Sequence, residues 1–155
     1  MIINMRFFQI FLFLFSAGLS STGCLAETSP PQPLQFSHVW VAEAPPASQV
    51  MVAYMTIKNP SSQNIEIKSC HSKLFSSIGF HQSVVVNGMA EMHHLPALSI
   101  PAHGSLSLKP GSYHMMLFNP VKTLHAGDKV NFIFTLGNGQ TVTVPGVVKK
   151  PDYAD

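Results

Sequence analysis

Asn87-Gly88 and Asn138-Gly139 constrain this chain's architecture more than any other feature. A two-residue hairpin turn needs positive φ at both central residues, which Asn and Gly reach at least cost. Each dipeptide lies between short runs rich in Val, Ile, Phe and Met: 78–86 and 89–94 around the first, 130–136 and 141–144 around the second. Further runs at 50–58, 65–68, 106–108 and 113–118 stop near Pro, Gly or Asn, and none carries a sustained helical period. Seven or eight short strands with regular turn spacing predict an all-β domain, a Greek-key sandwich or barrel.

The first residues read differently. Arg6, the only Arg, precedes an apolar run at 7–15, and small residues follow up to Ala26. That order is the n-region, h-region and cleavage site of a secretory signal peptide. The run is shorter than the ~20 residues of a membrane span. Gly23-Cys24 offers a second reading, lipidation of Cys24, but Ser21 stands where a large aliphatic residue is usual. The expected organisation is a signal peptide at 1–26, a Pro- and Ser-rich tether at 27–35, a β-domain at 36–150 and a short tail at 151–155. After export the chain carries eight Lys against seven acidic residues, with no basic patch, so nucleic acid is not an expected partner. Cys70 is then the single thiol, which excludes an internal disulfide and a Cys-x-x-Cys redox pair.

Hairpin register exposes a candidate site. With a two-residue turn at Asn87-Gly88, Val86 faces Met89, Ser83 faces Met92 and His81 faces His94. Side chains alternate faces with period two, so His81, Ser83, Met92 and His94 share one face, and His81 and Met92 are diagonal neighbours. In a later run His114 and Met116 also share a face. A bulge at the turn would move Met92 to the other side, and nothing in the sequence proves that the two segments are adjacent. Thioether sulfur is soft and uncharged and favours Cu(I), and imidazole suits copper as well. The pattern His81-x10-Met92-x21-His114-x-Met116 would arise by chance in about one in a thousand chains of this composition.

These residues, with their surroundings, resemble the periplasmic copper chaperones of the PCu(A)C family. The resemblance runs from about His38 to Val148 and includes Trp40 with Pro45-Pro46, the run Ala53-Tyr54-Met55-Thr56-Ile57-Lys58-Asn59, Leu108-Lys109-Pro110-Gly111 and Tyr113-His114-Met115-Met116-Leu117. It implies a cupredoxin-like β-fold and one Cu(I) per chain on His81, Met92, His114 and Met116. It also implies a non-enzymatic, monomeric periplasmic carrier that serves the CuA-bearing subunit of cytochrome c oxidase, beside a Sco-type assembly protein. Some family members end in a His- and Met-rich tail that takes a Cu(II) ion. This chain ends Pro151-Asp152-Tyr153-Ala154-Asp155, so that site is not carried over.

The remaining candidates have plainer expectations. Met115 alternates with His114 and Met116 and should enter the core. Met89, beside the turn, should pack, and His93 should point away from the candidate site. His94 is expected to be solvated, although it shares the site's face. Cys70 is expected to be a small buried hydrophobe. His38, His103 and His125 fall in loops or at the surface. Among competing functions, a blue-copper electron carrier needs a His2Cys core, which the position of Cys70 does not offer. A copper-buffering or resistance protein without a dedicated acceptor is the alternative that the ligand set leaves open.

Overall fold

Period-two alternation sorts this chain onto the two sides of one sheet. The computed structural model describes residues 34–151, which form ten strands and no helix. The expected signal peptide, most of the tether and the last four residues of the tail lie outside the described residues. The strands are β1 (Gln35–Ala42), β2 (Val50–Lys58), β3 (Ile65–His71), β4 (Phe75–Val86) and β5 (Met89–Leu95), followed by β6 (Leu98–Ile100), β7 (Ser105–Leu108), β8 (Tyr113–Pro120), β9 (Lys129–Leu136) and β10 (Thr141–Lys149). They pair in the order β5-β4-β8-β7-β2-β1-β10-β9-β3-β6, and β8 also pairs with β2.

The sheet curls around a core drawn from alternate positions. In β2, Met51, Ala53, Met55 and Ile57 point inward while the residues between them do not. Phe132 and Phe134 of β9 and Met115 and Leu117 of β8 meet them there. Phe80 of β4 is buried in the same core. This inward set decides which residues stand on the outer face. Because Phe80 is inside, Gly79, His81 and Ser83 are outside; because Met115 and Leu117 are inside, His114 and Met116 are outside.

The first hairpin has the expected register. Asn87 (φ 51°) and Gly88 (φ 79°) both occupy the left-handed region. Val86 pairs with Met89, Ser83 with Met92 and His81 with His94, without a bulge. The second Asn-Gly differs. Gly139 has φ 83°, but Asn138 does not have positive φ. The loop is the three residues Gly137, Asn138 and Gly139, because Leu136 N–H bonds Gln140 O at 2.8 Å and Gly139 N–H bonds Leu136 O at 2.9 Å. A type I turn followed by one left-handed Gly is the common three-residue hairpin. Gly139 supplies that left-handed residue, so the loop needs positive φ at one position rather than two.

Two strands carry no clear signal in the sequence. In β1 the register shifts between Ser37 and Trp40, where His38 sits at φ 52°, so alternation is broken inside the strand. β6 is three residues long, too short for a pattern. β10 also runs past Pro145, where a central strand is expected to stop. β1 pairs with β10 only at Val147, Val148 and Lys149, so no partner on that side needs the missing N–H of Pro145.

Asn59, fully buried at the end of β2, ties this end of the sheet together. Its Nδ2 donates to Gln63 O (2.7 Å) and Ile100 O (3.0 Å), and its Oδ1 accepts from Ser61 N–H (3.0 Å). Asn59→Ala removes these bonds, including the buried one to Ile100 O, from a fully buried position, and we expect it to destabilise the domain by about 2–3 kcal/mol. Urea unfolding should show a lower midpoint at unchanged slope. A loss below about 0.5 kcal/mol, the level of an ordinary surface change, would refute this role.

Candidate metal centre

Three strands build the candidate site. β4 lies between β5 and β8, so the adjacency that the sequence could not prove is present. His81 is opposite His94 on one side and opposite His114 on the other. Three imidazoles therefore stand abreast at one register level. Met92, opposite Ser83, is diagonal to His81 toward the hairpin turn. Met116, opposite Gly79, is diagonal to His81 in the other direction. Diagonal neighbours lie about 7–8 Å apart at Cα, within reach of a long thioether. His81 is thus the centre of the face, with an imidazole on each side and a Met toward each end.

The ring positions follow from the backbone beneath them. The His81 and His114 rings are 5.9 Å apart and nearly parallel (22°), and His94 meets His81 edge-on at 5.2 Å and 81°. A Cβ on Gly79 would lie 2.9 Å from His81 Nε2, so the ring lies in space that only glycine leaves open. Gly79 was not among the expected site residues, although an isolated glycine inside a strand pattern signals such a close approach. His114 is only 6% exposed although it faces outward. Its Nδ1 is 3.0 Å from Ser112 O. A carbonyl only accepts, so Nδ1 carries the proton and Nε2 presents its lone pair. The same Ser112 carbonyl accepts Ser83 N–H at 3.0 Å, which joins the hairpin to the loop before β8.

Among the described residues, no three His, Cys, Asp or Glu side chains are already arranged around one metal position. The ring planes explain this. A metal lies in the plane of each imidazole that binds it, and the stacked planes of His81 and His114 do not meet near their nitrogens. Modest rotation of the rings would bring both toward one ion, with Met92 and Met116 as the other candidate donors. Burial first, then the nearby His94 and His114, lower the His81 pKa from the ordinary 6.5. Its neutral, ligating form therefore persists to lower pH than in a free imidazole.

The outer part of the hairpin is an arm. β8 pairs with β4 only as far as Gln82, opposite Tyr113, and beyond it the hairpin is two-stranded. Met92 is accordingly 55% exposed, and Met89, expected to pack, is 65% exposed because no third strand covers it. The other expectations hold: Met115 is fully buried, and His93 points away and pairs with Glu91 at 3.2 Å. Cys70 lies in the core on β3, where burial pushes its thiol well above the usual range. It is therefore not a thiolate at neutral pH. His38 and His103 are exposed, and exposed His125 bonds Glu43 at 3.1 Å.

The lowered His81 pKa couples stability to pH. Its folded pKa is depressed, so as pH falls below about 6.5 the unfolded chain takes the proton first and stability declines until the folded pKa is passed. NMR titration of the apo protein should place His81 below 6.5, and His94→Ala should move it upward. A His81 titrating at or above 6.5, or unmoved by His94→Ala, would contradict the arrangement.

Comparison with known proteins gives the family and the fold. The family model described as "Putative lipoprotein LpqE-like" matches residues 34–148. "Putative lipoprotein Lxx21020" of Leifsonia xyli subsp. xyli is 32% identical over 117 residues, which cover 75% of this chain and 69% of that protein. The solution structure of CuI-DR1885 from Deinococcus radiodurans is 32% identical, with a TM-score of 0.62, over 82% of this chain and 83% of that one. The copper-bound PCuAC domain from PmoF2 is 18% identical, with a TM-score of 0.66, over 79% of this chain and 97% of that one, a likeness of fold. The fold is all-β and cupredoxin-like. With a family model that spans nearly every described residue and a relative at this identity, the chain belongs to the LpqE-like family of PCuAC-type domains.

Proposed function

We propose that this protein is an exported metallochaperone. It binds one Cu(I) through His81, Met92, His114 and Met116 and delivers it to the CuA-bearing subunit of cytochrome c oxidase, beside a Sco-type thiol protein. The observation that carries this reading is the outer face of β5, β4 and β8, where His81 and His114 stand side by side with a thioether diagonal to His81 toward each end. Two neutral imidazoles and two neutral thioethers make a soft, uncharged set suited to Cu(I) and poorly suited to Zn(II), Ca(II) or Mg(II). The comparisons support it, since proteins of the same fold include CuI-DR1885 and a copper-bound PCuAC domain.

The layout also suits release. His114 and Met116 belong to the body of the sheet, whereas Met92 stands on the exposed arm. An incoming Cys or His can displace the arm's thioether first and take the ion by stepwise exchange. Val85, Val86 and Met89 leave exposed apolar surface at the same tip, beside the ion's path. A transient partner can cover such a patch. Nothing in this reading needs a catalytic group. Cys70 is buried on the core side, which removes the thiolate that a blue-copper centre requires. Export is part of the proposal: residues 1–26 read as a leader, and the lipoprotein names of the relatives fit an envelope protein, with Cys24 as an alternative anchor to cleavage after Ala26.

At low external copper, a strain lacking the protein should lose cytochrome c oxidase activity. The wild-type gene should restore it, a His81→Ala, His114→Ala variant should not, and added copper should bypass the defect by mass action. Full oxidase activity in the deletion strain under copper limitation, with sensitivity to excess copper, would replace delivery by buffering.

A further inference from the structure

The Cu(I) reading leaves one of the three abreast imidazoles without a role. His94 stands directly opposite His81, with its ring 5.2 Å away, and is exposed on the edge strand β5. No hydrogen bond or ion pair among the described residues holds it. We propose that His94, His81 and His114 form a second ligand set on the same face, a three-imidazole site for Cu(II). Because it shares His81 and His114 with the Cu(I) set, the inference rests on the Cu(I) reading for those two residues, and the two ions exclude one another.

The chemistry separates the two sets. Cu(II) prefers nitrogen in a tetragonal arrangement, whereas thioether donors suit Cu(I). The face offers both around a common centre. Met92 and Met116 approach His81 along the diagonals, and His94 and His114 approach it from the neighbouring strands at its own level. Directly opposite residues lie about 4.5–5.5 Å apart, closer than diagonal ones, so a row of three can lean onto one ion above His81. His114 Nε2 already presents its lone pair, since Nδ1 is engaged by Ser112 O at 3.0 Å. The three rings do not yet converge on one position: the stacked His81 and His114 rings must rotate, as they must for Cu(I), and His94, edge-on to His81 at 81°, must turn as well, which its exposed position on an edge strand allows. Solvent supplies the remaining position. The ion is bound in the oxidation state in which it arrives, and no electron transfer is involved.

The neighbouring His93 provides a matched control. It is one residue away on the same strand, faces the other side, and pairs with Glu91 at 3.2 Å. The test titrates the apo protein with copper(II) sulfate against glycine as competitor, with electron paramagnetic resonance as the structural readout. Wild type should bind one Cu(II) with nitrogen superhyperfine structure. His94→Ala should weaken Cu(II) by at least the roughly 10- to 100-fold that loss of even an outer-shell partner costs a metal site. In the same variant, Cu(I) affinity measured by competition with bicinchoninate should stay within about twofold, a difference well under 1 kcal/mol. Unchanged Cu(II) affinity in His94→Ala, an equal loss in His93→Ala, or an equal loss of Cu(I) and Cu(II) would each overturn the proposal. A Met92→Ala, Met116→Ala variant separates it from the reading it rests on. That variant should lose Cu(I) affinity and keep Cu(II), and undiminished Cu(I) binding there would remove the Cu(I) assignment rather than the role of His94.

Discussion

The register between β4 and its two neighbours is the constraint on which the site depends. A slip of one residue in either pairing would send every side chain of the shifted strand to the other face. His114 would then enter the core and Met115 would leave it. Two independent forces prevent this. Burial of Phe80, Met115 and Leu117 fixes which face of β4 and β8 turns inward. The Asn87-Gly88 turn, with both residues in the left-handed region, fixes β5 against β4. The core therefore places the site, although no ligand candidate belongs to it.

That arrangement divides the candidate ligands by how firmly they are held. His114 is buried and its tautomer is set by Ser112 O, and Met116 lies on the same well-covered strand. Met92 and His94 are on β5, a strand exposed along almost its whole length. The proposed carrier role asks that an ion be held without being trapped, and a face with one fixed and one adjustable flank meets both demands. Gly79 contributes from beneath, because an alanine there would force the His81 ring from its place.

Much of this was legible in the sequence, and the failures have definite causes. The Asn87-Gly88 hairpin and its register follow from turn chemistry and alternation alone, both of which are local. The adjacency of β4 and β8 is not, because the 26 residues between Val86 and Tyr113 carry no record of where the chain returns. The sequence carries no signal for β1, because the bulge at His38 interrupts its alternation, or for β6, because three residues make no pattern. Asn138-Gly139 does not form the expected two-residue turn, because the chain turns through three residues with only Gly139 left-handed. Met89 was expected to pack, and its exposure depends on where β8 stops, which is a tertiary fact. Gly79 was readable as a close-approach glycine, but its neighbour, His81 two residues on, could only be named once the side-chain positions were known.

The central claim is that thioether sulfur and imidazole nitrogen from these three strands bind one Cu(I) together. X-ray absorption of the Cu(I)-loaded protein tests it most directly, because it reads the atoms around the metal without assuming a pathway. The account predicts a shell containing both sulfur and nitrogen, with the sulfur contribution lost in a Met92→Ala, Met116→Ala variant. A nitrogen-only shell in the wild-type protein, or a sulfur signal that survives both substitutions, would contradict it.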